Sequence, residues 1–166
     1  MRDDGDFDAY AEARWPTLVR TTVLLGSALE EAVEIAGRTM AGCRLQWRTI
    51  RQAGDIDVEV YAELLEERSR ALGERGPGPT DHPGVAVEAD RPAVDRSDAE
   101  ELLDALGQAL DRLEPVDRCA VVLRHGAGLS ELQVAEVLRL DPLEVEERLA
   151  SATVELDPEG LVQRCR

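Results

Sequence analysis

The sequence predicts an all-α chain built as two small helical domains joined by a flexible linker. Three observations predict it. Aromatic residues are only 3% of the 166 positions, so any core must be assembled from Leu, Val and Ala, and Ala and Leu head the helix-propensity order. Apolar residues recur at helical spacing in both the first and the last part of the chain. Between them, GPGPTDHPGVAVEADRPAVDR (76–96) holds four prolines and three glycines among polar residues. Such a stretch cannot bury enough apolar surface to offset the entropy of ordering it. The boundaries follow: a first domain at 1–75, the linker at 76–96, a second domain at 97–157 and a tail at 158–166.

In the first domain, Phe7, Tyr10, Leu18, Val19, Thr22 and Leu25 place a helix over 6–25. Pro16 lies inside it, where it removes a hydrogen bond and crowds the preceding turn, so a kink is expected there. Gly26 ends the helix, and Ser27 with Glu30 reads as a capping box opening the next. That helix runs to about Trp47, with Leu29, Val33, Ala36, Met40 and Cys43 as its apolar stripe. Gly54 and Asp55 interrupt it. A third helix begins near Asp57 and carries Val58, Tyr61, Leu64, Leu65 and Leu72.

The second domain restarts with a capping box at Ser97 and Glu100. A helix over 98–113 aligns Leu102, Leu103, Leu106, Leu110 and Leu113. Pro115 sits in the first turn of a short helix running to about His125, and Gly126 and Gly128 make a turn. Ser130 and Gln133 form a third capping box for a helix that ends near Leu138. Arg139–Asp141 supply a tight turn, and Pro142 opens a last helix that fades at Asp157–Pro158. Two short helices across such a turn describe a helix-turn-helix, with Val134, Val137 and Leu138 facing Leu140, Val145 and Leu149.

Charge and composition narrow the function classes. The formal charge is -16, and all 19 basic residues are Arg, with no Lys and no Asn, a bias that a G- and C-rich coding sequence explains. Cys43, Cys119 and Cys165 share no metal-ligand spacing and read as reduced thiols of a cytoplasmic protein. The acidic first residues do not resemble a signal peptide, and no apolar run is long enough for a membrane span. No nucleophile motif, phosphate-binding glycine loop or metal cluster points to an enzyme or a cofactor. His82 reads as a solvated linker residue, and pairs such as Glu66–Glu67 as solvated helix faces.

The stretch LDRLEPVDRCAVVLRHGAGLSELQVAEVLRLDPLEVEERLASATVEL resembles region 4 of extracytoplasmic-function (ECF) sigma factors. Leu110, Leu113, Pro115 and Arg118 match the family's "L-x-x-L-P-x-x-x-R" start. Leu129, Ser130, Val134, Ala135 and Leu138 match its "L-S-x-x-x-I-A-x-x-L" helix. Val145, Arg148, Leu149 and Ala152 match its "V-x-x-R-L-x-R-A" recognition helix. More loosely, ARWPTLVRTTVLLG (13–26), Trp47 with Ile50, and Val60–Tyr61 resemble region 2. The resemblance implies a sigma region 2-like three-helix domain, a region 4-like helix-turn-helix domain, and binding to core RNA polymerase and promoter DNA.

By resemblance, Glu30, Glu31, Glu34 and Arg38 would face polymerase. Arg68, Arg70 and Arg75 would face the -10 element, and Leu143, Glu144, Glu147, Arg148 and Ser151 the -35 element. Departures stand beside these matches. Ala32–Gly37 replaces the family's "A-E-D-L-V-Q", with Gly37 at the glutamine, and Arg68 stands where the family has Asn. From Pro142 to Leu156 there are four glutamates and one arginine, a net of -3, and 97–166 carries a net of -9. Phosphate binding depends on cations displacing counterions, so this charge opposes it. A single Glu can accept from cytosine, but three cannot all do so. Two functions therefore stand: a sigma factor reading a small promoter set, and a sigma-like protein that binds polymerase or an anti-sigma factor without reading DNA.

Overall fold

The computed structural model describes residues 2–74 and 105–156, and every regular element among them is helical. The first half contains α1 (Arg2–Leu24), α2 (Leu29–Leu45), a single turn α3 (Trp47–Ile50) and α4 (Ile56–Glu74). The second contains α5, of which 105–110 are described, then α6 (Pro115–Val121), a π-helical turn (Val122–Gly126), α7 (Glu131–Leu138) and α8 (Pro142–Leu156). The segment 76–96 with His82, the capping box at Ser97 and Glu100, and Cys165 lie outside the described residues.

Local chemistry explains where the helices stop. At the end of α1, the Gly26 N–H donates to the Val23 carbonyl at 2.8 Å and the Ser27 N–H to the Thr22 carbonyl at 3.3 Å. This is a Schellman motif, which needs a left-handed residue, and Gly26 supplies φ 101°. Ser27 is thereby spent as a backbone donor. The capping box expected from Ser27 and Glu30 does not form: α2 starts at Leu29 behind Ala28, with no side-chain cap. Glu30 and Glu31 in its first turn oppose the positive end of the helix dipole instead.

The end of α7 repeats the motif without glycine. Arg139 donates to the Glu136 carbonyl at 3.2 Å and Leu140 to the Ala135 carbonyl at 3.0 Å. Arg139 itself stands at φ 55°, the only non-glycine residue at positive φ among those described. Its start matches the sequence: Ser130 and Gln133 form a reciprocal capping box.

The first half is organised around aromatic rings. Phe7 and Tyr10 each lie 5.2 Å from buried Trp47, and Tyr61 is buried on α4. Asp57 accepts from Tyr10 at 2.7 Å and also pairs with Arg14. In the second half the buried side chains are aliphatic: Leu110, Leu123, Val134, Val145 and Leu149 among them. The buried apolar residues of both halves belong to one connected cluster. Of the stripe predicted for α2, Ala36, Met40 and Cys43 are buried and Leu29 and Val33 are not. Ala32, Ile35, Ala36, Thr39, Met40 and Cys43 are buried, while Leu29 and Val33 are exposed, as are Leu72 on α4 and Leu106 on α5.

Candidate partner and nucleic-acid surfaces

The outer face of the α1–α2 hairpin mixes apolar and charged groups. Leu29, Val33 and Gly37 recur every four residues on one side of α2, and the Trp15 ring lies over Gly37. Leu29 is 61% exposed, Val33 42%, Trp15 36% and Val23 38%. A β-carbon at Gly37 would meet only Trp15, at 4.0 Å, so sterics do not demand glycine there. Glu30 and Glu34 are exposed beside this strip. Glu31 is half-buried and lies in the field of Arg68, while Arg38 reaches toward Glu67 at 3.6 Å. Helical spacing does not single out Trp15 and Val23 as surface residues, yet both are exposed. Their signal was the surplus of apolar positions on α1 and α2 beyond one stripe.

Of the two arginines of α4, Arg68 is turned inward and Arg70 is exposed. Arg68 turns inward, and its Nη2 donates to the Leu25 carbonyl at the end of α1. Burial depresses its pKa, and its Nε finds no acceptor. Arg70 is exposed, paired with Glu67 and 3.9 Å from Glu66. Arg75 lies outside the described residues. Beside Arg70, a groove of about 560 Å³ opens between α4 and α7, floored by Ala62, Leu65, Val137 and Leu138 and rimmed by Glu66, Arg70 and Arg139.

In the helix-turn-helix, α8 buries Val145, Leu149 and Ala152 against the rest of the half. Its outward side carries Leu143, 70% exposed, with Glu146, Glu147 and Ser151, all exposed. The one cation of α8 is not presented outward alone. Arg148 donates from Nη1 to Asp117 at 2.9 Å, and from Nε and Nη2 to Glu144 at 3.0 and 2.9 Å. Asp117 and Glu144 hold this guanidinium above its ordinary pKa. Two carboxylates around one arginine leave the face acidic, and no phosphate-directed cation remains on α8.

No cluster of His, Cys, Asp and Glu suited to a metal ion exists among the described residues. Nor is any described helix long and apolar enough to cross a membrane. Both described cysteines are free, Cys43 buried and Cys119 half-buried. Burial pushes the Cys43 thiol up to about 12 and raises that of Cys119.

Neither a protein-family model nor a curated protein matches the sequence. Solved structures do. The sigma factor RpoE from Bartonella quintana, in complex with the anti-sigma factor NepR, is 20% identical at a TM-score of 0.73, covering 92% of this chain and 95% of that one. CnrH, in complex with the cytosolic domain of CnrY, is 18% identical at a TM-score of 0.66, covering 92% and 85%. The chain therefore has an all-α, two-domain, ECF sigma-like fold.

Proposed function

We propose that this chain is an ECF-type sigma-like protein acting in transcription initiation, and that it binds core RNA polymerase through the outer face of the α1–α2 hairpin. The observation that carries this reading is the exposed strip of Leu29, Val33 and Trp15. Leu29 and Val33 lie on the helix that resembles the polymerase-binding helix, flanked by Glu30, Glu34 and Arg38, and Trp15 of α1 lies beside them. Apolar groups rimmed by charge are the composition of a protein-docking face. The test is capture of the full chain on purified core polymerase. Replacing Leu29 and Val33 together with Asp should weaken capture at least tenfold with the helical circular dichroism intact. Equal capture of wild type and variant would remove the reading.

A second reading concerns the C-terminal half, and the engaged Arg148 favours it. With its only cation held by Asp117 and Glu144, α8 is suited to a protein partner of basic surface rather than to promoter DNA. An anti-sigma factor is the partner class suggested by the neighbours, RpoE being solved with one. Run-off transcription with core polymerase separates the two readings: a promoter-specific transcript at low salt would exclude the second.

A further inference from the structure

We infer that the outer crease of the α1–α2 hairpin receives one amphipathic helix of core polymerase, and that Gly37 opens a notch against Trp15 for that helix's bulkiest apolar side chain. This rests on the reading that the hairpin binds core polymerase, and it says what the surface selects.

The crease has two apolar rows. Trp15, Val19 and Val23 follow one another at four-residue steps on α1, as Leu29, Val33 and Gly37 do on α2. The Trp15 ring meets the Gly37 position, and the two helices of a hairpin run in opposite directions. Equal steps from that contact set Val19 opposite Val33 and Val23 opposite Leu29. Each row covers two helical turns, about 12 Å. That is the span of a docked helix with anchors at i, i+4 and i+7.

Gly37 is where the rows differ. A glycine inside a helix is less stable than alanine, because its backbone is freer in the unfolded chain. Nothing inside the molecule asks for it. Its φ is not positive, and an added β-carbon would meet only Trp15 Cη2, at 4.0 Å. Gly42 on the same helix is the contrast, with Glu63 Oε1 3.2 Å from where its β-carbon would stand. The missing side chain at 37 leaves one edge of the exposed Trp15 ring uncovered. A large apolar side chain seated there gains the ring as a wall and the bare backbone as a floor. At the other end of the row, the exposed Leu29 side chain fills the equivalent place. The crease is therefore recessed at Gly37 and raised at Leu29.

The edge along α2 gives the partner's charge. Glu30 and Glu34 are exposed one turn apart beside the row. Nearby cations are engaged elsewhere. Arg38 reaches toward Glu67 at 3.6 Å, Arg20 donates to the Gly126 carbonyl at 2.8 Å, and Arg118 Nε donates to the Leu24 carbonyl at 2.8 Å. The helix that fits carries Arg or Lys beside its apolar face. A second copy of this chain does not fit, since a symmetric contact would set Glu30 and Glu34 against the same acids.

The experiment is capture of full-length variants on purified core polymerase, read beside their urea midpoints. Gly37→Leu should raise the midpoint, leucine being the better helix former. It should nevertheless weaken capture by about tenfold, which a folding defect would not explain. Trp15→Ala should weaken capture by a similar factor. The double variant should lose about tenfold rather than about a hundredfold, because both changes remove one notch. Glu30→Arg combined with Glu34→Arg should weaken capture at low salt. If Leu29→Asp/Val33→Asp weakens capture while Gly37→Leu does not, the polymerase reading stands and the notch is wrong. Additive losses at Trp15 and Gly37 would put them in separate contacts and overturn it as well. Unchanged capture in Glu30→Arg/Glu34→Arg would overturn the basic partner helix.

Discussion

The two halves of the molecule solve the same packing problem with different materials. All five aromatic residues lie before residue 62, and Phe7, Tyr10, Trp47 and Tyr61 brace the first half. The second half packs only aliphatic side chains. Aromatic residues bury large areas with few rotatable bonds, so the first half has the means to stand alone. The second leans on its neighbour through the connected core and the contacts at Leu24 and Asp55. Their outward faces differ too: α2 shows apolar groups among mixed charges, α8 shows acid around a neutralised arginine.

The largest test of that contrast is Leu123→Ala. Leu123 is fully buried in the aliphatic half, and the deletion should cost about 2–5 kcal/mol. If the first half supports the second through a shared core, Trp47 fluorescence and circular dichroism should fall in one shifted transition on urea melting. A Trp47 signal that stays in place while helicity drops would make the halves thermodynamically separate.

Charge comes next. Replacing Glu146 and Glu147 with Arg should tighten non-specific DNA binding at least tenfold at about 50 mM salt, about 1.4 kcal/mol, and steepen its salt dependence. The same exchange at Glu30 and Glu34 should do neither. No change in α8 would mean that this helix does not approach phosphate.

The two Schellman ends offer a smaller and paired comparison. Gly26→Ala forces a β-carbon into φ 101° and against the Arg118 guanidinium at 3.4 Å, which should cost about 1–2 kcal/mol. Arg139→Gly relieves φ 55° and should gain about 1 kcal/mol. Chemical denaturation reads both, and equal signs would contradict the assignment. Gly37→Ala, with only Trp15 near, should gain about 0.5–1 kcal/mol.

The smallest effect is at high pH. The Cys43 thiol is raised to about 12, mainly by burial with help from Glu63. A raised folded pKa stabilises fully below the ordinary thiol value and is lost as pH climbs above it toward 12. Stability should therefore decline more steeply above pH 9.0 in wild type than in Cys43→Ala. Parallel pH profiles would remove the assignment.

What the sequence disclosed was local. Gly26, the Ser130–Gln133 box and Pro142 mark their boundaries because each signal acts within a few residues. The motif matches at Trp47, Ile50, Val60 and Tyr61 are buried positions, so they carried the fold rather than a contact surface. The sequence puts Leu29 and Val33 in the core because a 3.6-residue period fixes the angle between residues, not which way the helix turns. Ser27 has the pattern of a cap, but the pattern does not show that its N–H is used by the preceding helix. The roles of Arg68 and Arg118, and the Asp117 half of the Arg148 pairing, rest on partners distant in the chain and leave no periodic trace, whereas Glu144–Arg148 is an i,i+4 pair.

The arginine at the end of α1 also sets an order of events. Arg118 meets Leu24 across 94 residues, and Arg20 meets Gly126 across 106. During synthesis α1 therefore emerges, folds against α2 and α4 and receives Arg68 well before Arg118 exists. Loop closure over such spans costs only about 0.6 kcal/mol for each doubling of length, so distance delays the encounter more than it weakens it. The last carbonyl of the first helix to be made thus takes its side-chain donor from a residue made 94 positions later.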